Sequence, residues 1–282
     1  MKKVIIIIFA TTCSLFASAQ ITHEFSLNGG GGLSALDYKL SSGECTPGLG
    51  GDFGLGYTCM FAQWGFHIGV DMGLYNAKAT LDGVEIVTGN LRDSENDKFD
   101  LYTTLDHYTE TQNALFLNIP VMAQFQTNGR QKFYTKAGVK IGIPINCTYS
   151  VSDATITNSA YYPDSDNWLP MPAFAGLGTF KNRNSDGTLT LDVTVMLALE
   201  TGVKWRLGAK AALYTGAWLD YGLSNILKDS NQPFVNYNNT TTPVEFTTNS
   251  ALPALTEKMN LMAVGVKLRF AFRNYYIKNL KG

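Results

Sequence analysis

Eight stretches of this chain alternate apolar with small or polar residues at period two, and the apolar face of all eight carries no Asp, Glu, Lys, Arg or His. Alternation of this kind marks β-strands, because successive side chains point to opposite faces of a sheet. The stretches cover residues 24–35, 49–61, 64–74, 114–126, 132–146, 189–205, 210–223 and 260–272. Trp64, Phe66, Ile68, Val70, Met72 and Leu74 show the pattern unbroken, and Leu191, Val193, Val195, Leu197 and Leu199 repeat it. Each stretch is long enough for the roughly 9–11 residues that a tilted strand needs to cross a bilayer. A charge facing lipid at mid-bilayer costs roughly 2–4 kcal/mol, so an uncharged face repeated eight times is what lipid contact selects.

The opposite face combines glycines with charge. Glu24, Asp52, Asp71, Asp192, Glu200 and Asp220 stand against Lys132, Lys136, Lys140, Lys204, Lys267 and Arg269, six acids to six bases. A soluble eight-stranded barrel would turn the apolar face inward, but such a barrel has room only for its own side chains or one small ligand. The many large apolar groups exceed that space, whereas a small face of paired charges fits it. The expected fold is therefore all-β, an eight-stranded antiparallel up-and-down transmembrane β-barrel with short periplasmic turns and long extracellular loops. The twelve charges form an expected interior network.

Connection lengths agree with that orientation. Three links are short, at Ala62-Gln63, at 127–130 and around Leu207-Gly208-Ala209, and four are long and polar, at 36–48, 76–112, 147–188 and 224–257. Trp64, Phe61, Phe133 and Trp205 lie beside the short turns, where an interfacial aromatic girdle belongs. Pro120, inside the fourth strand, removes a ladder donor, so a bulge is expected there; Pro144 lies near a strand end.

The N-terminus reads as an export signal over 1–19. Lys2 and Lys3 precede an apolar run from Val4 to Ala10, and Ala17-Ser18-Ala19 before Gln20 is a small-x-small cleavage site. Cys13 raises a lipoprotein alternative, but Ala10-Thr11-Thr12 lacks the leucine expected ahead of a lipidated cysteine. No later run approaches the ~18 apolar residues of a membrane helix. The expected organisation is a signal peptide over 1–19, a barrel over 20–272 and a short periplasmic tail over 273–282. Cys45, Cys59 and Cys147 form no disulfide framework or zinc pattern; Cys45 and Cys147 fall at the same end, so a bridge between them stands beside the plainer reading of free thiols. A formal charge of −1 without a basic block gives no reason to expect nucleic acid, and no cofactor is expected.

Several segments resemble the OmpA-like, PorT-like outer-membrane barrels common in Bacteroidota. They are the Gln after Ala-Ser-Ala, Phe25-Ser-Leu-Asn-Gly-Gly-Gly-Gly, Leu115-Phe-Leu-Asn-Ile-Pro-Val, Phe133-Tyr-Thr-Lys-Ala-Gly-Val-Lys-Ile-Gly and Gly265-Val-Lys-Leu-Arg-Phe-Ala-Phe. The resemblance covers about 21–272. It implies residence in the cell outer membrane among lipid and lipopolysaccharide, and handling by periplasmic chaperones and the barrel-assembly machinery. Gly265, Leu268, Phe270 and Phe272 resemble the C-terminal signal which that machinery reads. Only about ten residues follow the last strand, so the peptidoglycan-binding role of full OmpA architecture is not carried over.

Three function classes remain. The first is a structural or surface-interaction protein working through its loops, with Tyr161, Tyr162 and Trp168 as candidate contacts to a host surface or glycan. The second is a small porin-like channel, which a filled lumen opposes. The third is an outer-membrane enzyme. Of the three histidines, His23 opens the first strand, His67 points into the barrel as a core histidine, and only His107, beside Asp106, lies at the extracellular rim. Without a Gly-x-Ser-x-Gly elbow, an Asp-His pair in a charged loop is no triad, and no catalytic or metal-binding residue is expected.

Overall fold

Eight strands close on themselves. The computed structural model describes residues 21–38, 40, 43–129, 131–228 and 232–275, so the signal-peptide reading at Ala17, Ala19 and Gln20 lies outside the described residues. In chain order the strands are β1 (Ile21–Tyr38), β2 (Glu44–Phe61), β3 (Trp64–Leu81), β4 (Val84–Arg92), β5 (Lys98–Asp106), β6 (Tyr108–Gln126) and β7 (Gln131–Tyr162). They continue with β8 (Asn167–Leu169), β9 (Gly178–Thr188), β10 (Thr194–Arg206), β11 (Ala211–Gly222), β12 (Val235–Asn238), β13 (Glu245–Thr248), a short helix α1 (Leu252–Leu255) and β14 (Met259–Tyr275). The barrel runs β1-β2-β3-β6-β7-β10-β11-β14 and back to β1, antiparallel throughout. Each of the eight stretches picked out by alternation overlaps one of these strands.

The apolar face points outward. Phe66, Phe133 and Val266 are 66 %, 68 % and 71 % exposed, as lipid contact requires and a soluble core would forbid. Inward glycines make room for the lumen: a Cβ on Gly30 would lie 2.5 Å from the Asp52 carboxylate and 3.0 Å from the Trp218 indole nitrogen.

The long links are folded. Beyond the lipid-facing band β7 runs on as part of a 32-residue strand, reaching about 50 Å further at ~3.3 Å per residue. It forms the spine of a second sheet. One edge pairs with β6 as far as Thr109 and then, past Asp153, with β5; the other pairs with β10, then β9, then β8. Asp153 takes a φ of 55° where the partner changes. The expected loops at 76–112 and 147–188 are therefore largely strand. In the link at 224–257, residues 232–257 fold as a lid, in which Phe234, Val235, Phe246 and Ala251 pack with Leu101, Tyr149 and Ile156 of the sheet in a second apolar core.

Three local expectations are corrected. The β3–β6 register is the same on both sides of Pro120, and the bulge lies beside Pro144, between the pairs Leu115–Asn146 and Phe116–Pro144. The Pro120 ring instead lies against Gly69, where a Cβ would come within 3.3 Å of it. β10 starts at Thr194, not 189, because Leu189 and Leu191 turn into the apolar core above the lumen. β14 continues to Tyr275, so Arg273 belongs to the wall and not to a tail.

Candidate functional site

The lumen is occupied from the short-turn end upward. Glu24 on β1 binds Lys204 Nζ at 2.6 Å and Arg273 Nε at 3.1 Å through one oxygen, and the Tyr214 hydroxyl donates to the other. Above it, Glu200 meets Lys136 at 3.4 Å and Arg269 at 3.9 Å and accepts from Tyr134 OH at 2.8 Å. The Arg269 guanidinium lies 3.7 Å from the Tyr214 ring centroid, stacked as a cation over a π face. Next comes a layer in which Lys267 pairs with Asp52 and reaches Asp71 at 3.8 Å, while Lys140 binds Asp220 at 2.6 Å. Trp218 stands beside both of these lysines. Asn28 donates to Asp71 at 3.1 Å, and His67 is bonded to Thr58 at 2.8 Å.

Ten of the twelve expected interior charges are thus buried, five acids with five bases. Two are placed elsewhere. Asp192 is exposed, because it precedes β10 where the chain has left the wall, and its backbone N–H bonds Ile226 O. Lys132 is half-buried at the open mouth. Arg273, Trp218, Tyr134 and Tyr214 were not singled out from sequence, although the inward parity of β11 and β14 contains all but Tyr134, and β7 contains that one.

Above the charged layers the lumen turns apolar. Leu36, Tyr75, Phe116, Met196, Ile226, Leu252 and Leu261 form a continuous plug under the lid. Between plug and lid lies Glu110, fully buried and absent from the sequence reading because it fell in an expected loop. It accepts from Tyr108 OH at 2.8 Å, Gln112 Nε2 at 3.2 Å, Ser250 Oγ at 2.6 Å and Ala251 N at 3.0 Å. Burial and the Glu110 carboxylate hold the Tyr108 hydroxyl well above its ordinary pKa, so it stays a donor.

The far end carries aromatics. Trp168 on β8 packs against Tyr102 of β5 and Tyr161 of β7 at centroid distances of 4.7 and 4.9 Å, and it is half exposed. Tyr162, on the other face, stacks on Phe99 and donates to Asp93 at 3.0 Å; burial and that carboxylate push its hydroxyl pKa up. Met171 and Phe174 are exposed, and Phe174 lines a cleft of 280 Å³. His107 sits in the β5–β6 turn at φ 52°, its backbone N–H held by Asp82, while Asp106 accepts from the Gly83 N–H. Both aspartates serve the turn backbone. His23 bonds the Tyr57 hydroxyl at 2.6 Å. Cys45, Cys59 and Cys147 are free thiols, so the bridge alternative is corrected.

A closed barrel with a lipid-facing apolar wall, a charge-paired lumen and one elaborated end defines an outer-membrane β-barrel protein. The chain belongs to the outer membrane protein beta-barrel domain family, whose model matches residues 18–228, and its place is the cell outer membrane. Its short turns face the periplasm and its elaborated end the outside. No curated protein matches it. Among solved structures it is similar to Neisserial surface protein A, at 12% identity over 87% of this chain and 95% of that one, TM-score 0.33. It is also similar to Ail, the attachment invasion locus protein of Yersinia pestis, at 11% identity over 89% and 99%, TM-score 0.31. A third is OprG of Pseudomonas aeruginosa, at 13% identity over 92% and 97%, TM-score 0.34.

Proposed function

We propose that this barrel is a surface-interaction protein, whose extracellular sheet holds the Tyr102–Trp168–Tyr161 face toward a glycan-bearing surface outside the cell. The observation that carries this reading is the trio of packed, partly exposed rings on paired strands instead of on a free loop. Sugar rings stack on such faces through their C–H groups, and a platform already ordered loses little entropy on binding. Charge narrows the ligand. Residues 82–106 and 153–192 carry twelve acidic side chains against four basic ones, which disfavours polyanionic glycans and suits neutral ones. Within the family, the segments quoted above favour kinship with the stand-alone OmpA-like, PorT-like barrels of Bacteroidota. The same segments suggest that Gly265, Leu268, Phe270 and Phe272 on β14 serve as the assembly signal for the barrel-assembly machinery, after cleavage at Ala19.

Whole cells displaying the protein should adhere to immobilised neutral glycans, and Trp168→Ala should remove most of that adhesion while surface abundance and heat-modifiability stay unchanged. Equal adhesion by the Trp168→Ala cells across a glycan panel would sink the reading. The channel alternative finds no support in a lumen of paired charges closed by an apolar plug.

A further inference from the structure

On the face of the extracellular sheet away from Trp168 lies the cleft of 280 Å³ that Phe174 lines. Phe99, Tyr162 and Tyr237 also wall it, and these three rings are locked together. Tyr162 stacks on Phe99 at 5.5 Å, and Tyr237 meets Phe99 edge-on at 5.2 Å. Hydrogen bonds tie the walls to one another. The Tyr162 hydroxyl of β7 donates to Asp93 in the β4–β5 turn at 3.0 Å, and Asn239 Nδ2 of the lid donates to the Asp93 backbone oxygen at 3.0 Å. The lid also holds the turn at 173–175, where Tyr237 OH donates to Ala175 O and the Val244 N–H to Phe174 O, both at 2.7 Å. The cleft is therefore formed before any ligand arrives.

The charged groups of the cleft are anionic. Asp93 and Glu95 line it with no Lys, Arg or His, and neither forms an ion pair among the described residues. Arg92 and Lys98 flank the same turn against three acids, Asp93, Glu95 and Asp97, and the Arg92 guanidinium is taken up by Asn96. The lid over 232–257 adds Glu245 and Glu257 and no Lys or Arg. Asp93 keeps its charge while its oxygens are occupied: one accepts from the N–H groups of Glu95 and Asp97 at 2.9 Å, the other from Tyr162. It therefore attracts a cation through its field and offers little to a ligand N–H.

We propose that this cleft binds a small organic cation with a fully alkylated nitrogen, of the choline class. The rings of Phe99, Tyr162, Phe174 and Tyr237 surround the ammonium group, and Asp93 and Glu95 supply the counter-charge. Aromatic faces attract such a cation without needing hydrogen bonds from it, and desolvation strengthens the attraction. Rings already fixed in place lose little entropy on binding. The volume falls just under the roughly 300–1,000 Å³ of small-molecule sites, which suits a guest of few atoms. The alkylated ammonium has two sources, a free soluble cation or the phosphocholine headgroup of a membrane outside the cell.

The test is calorimetric titration of the purified full-length protein in a maltoside detergent, which carries no ammonium group of its own, at ionic strength held constant with sodium chloride. Choline should bind saturably at one site per chain. Its uncharged carbon isostere, dimethylbutanol, should bind about tenfold more weakly or beyond, the order expected for losing a cation from a ring-walled site. The double variant Phe174→Ala/Glu95→Gln removes one exposed ring and one exposed carboxylate that has no bonded partner among the described residues. It should keep the parent's heat-modifiability and bind choline about tenfold more weakly. If that pair alters folding, the single charge reversal Glu95→Lys gives the same readout. Trp168→Ala should leave choline binding at the parent value, which separates this cleft from the glycan-facing rings. Choline bound more tightly than glycerophosphocholine marks a free cation as the ligand, and the reverse order marks a headgroup. No saturable binding, equal binding of choline and dimethylbutanol, or equal choline binding by parent and cleft variants overturns the proposal.

Discussion

Glu200 shows what the lumen demands of single residues. Its carboxylate is shared by Lys136, Arg269 and the Tyr134 hydroxyl in a space nearly closed to solvent. Removing one partner of a buried pair leaves an uncompensated charge, at a cost of about 3–5 kcal/mol. Glu200→Ala, or Lys140→Ala in the layer above, is therefore expected to lower the temperature at which the barrel band shifts on a gel. Asp192→Asn should leave it unmoved, because that carboxylate is solvated and outside the wall. Equal behaviour of the three variants would contradict the inward placement of the network.

At the scale of elements, the informative event is a change of phase. On β3 the apolar residues face lipid from Trp64 to Leu74, then face inward as Tyr75, Ala77, Ala79 and Leu81. β14 does the same in reverse chain order, with Met259 and Leu261 inward before the lipid-facing set begins at Met262. Inversion marks where a strand leaves the membrane and joins an aqueous core. The barrel was legible because the lipid-facing pattern is long and uncharged. The extracellular sheet was not, since Val84, Ile86, Phe99, Leu101, Ile156 and Ala160 alternate among Asp, Asn and Thr in runs broken by turns. Ten buried lumen charges followed from parity on strands. Glu110 could not, because a carboxylate in an apparent loop is taken as solvated until its donors are known, and two of them lie 140 and 141 residues away. Glu110→Ala is expected to release the lid. Hydrogen exchange over 232–258 should rise severalfold while amides of β1, β2 and β14 below the plug keep their protection, and unchanged exchange in the lid would show that its apolar contacts suffice.

At the scale of the whole molecule, three charged layers and an apolar plug lie in series along one axis. Such a column offers no continuous water path, and the purified protein in planar bilayers is expected to give no reproducible single-channel steps. Clean unitary conductance in both the parent and Glu110→Ala would refute the plug; conductance confined to Glu110→Ala would assign the seal to the lid. Among the described residues, basic side chains outnumber acidic ones in the lining of the periplasmic mouth, and acidic ones outnumber basic ones outside. The seam where the first and last strands meet adds a constraint on assembly. Lys267 on β14, Gly30 on β1 and Asp52 on β2 lie in one row, and the missing side chain at Gly30 lets the charges on either side of it touch. A slip of two residues at this seam would keep every apolar group in lipid, so hydrophobicity alone could not detect it. It would set Lys267 opposite Gly32, in the row of Gly50, or opposite Asn28, in the row of Gly54 and Asp71, in either case out of the row of Asp52. The row thus proofreads closure, because either slip breaks the Lys267–Asp52 pair that the correct register makes.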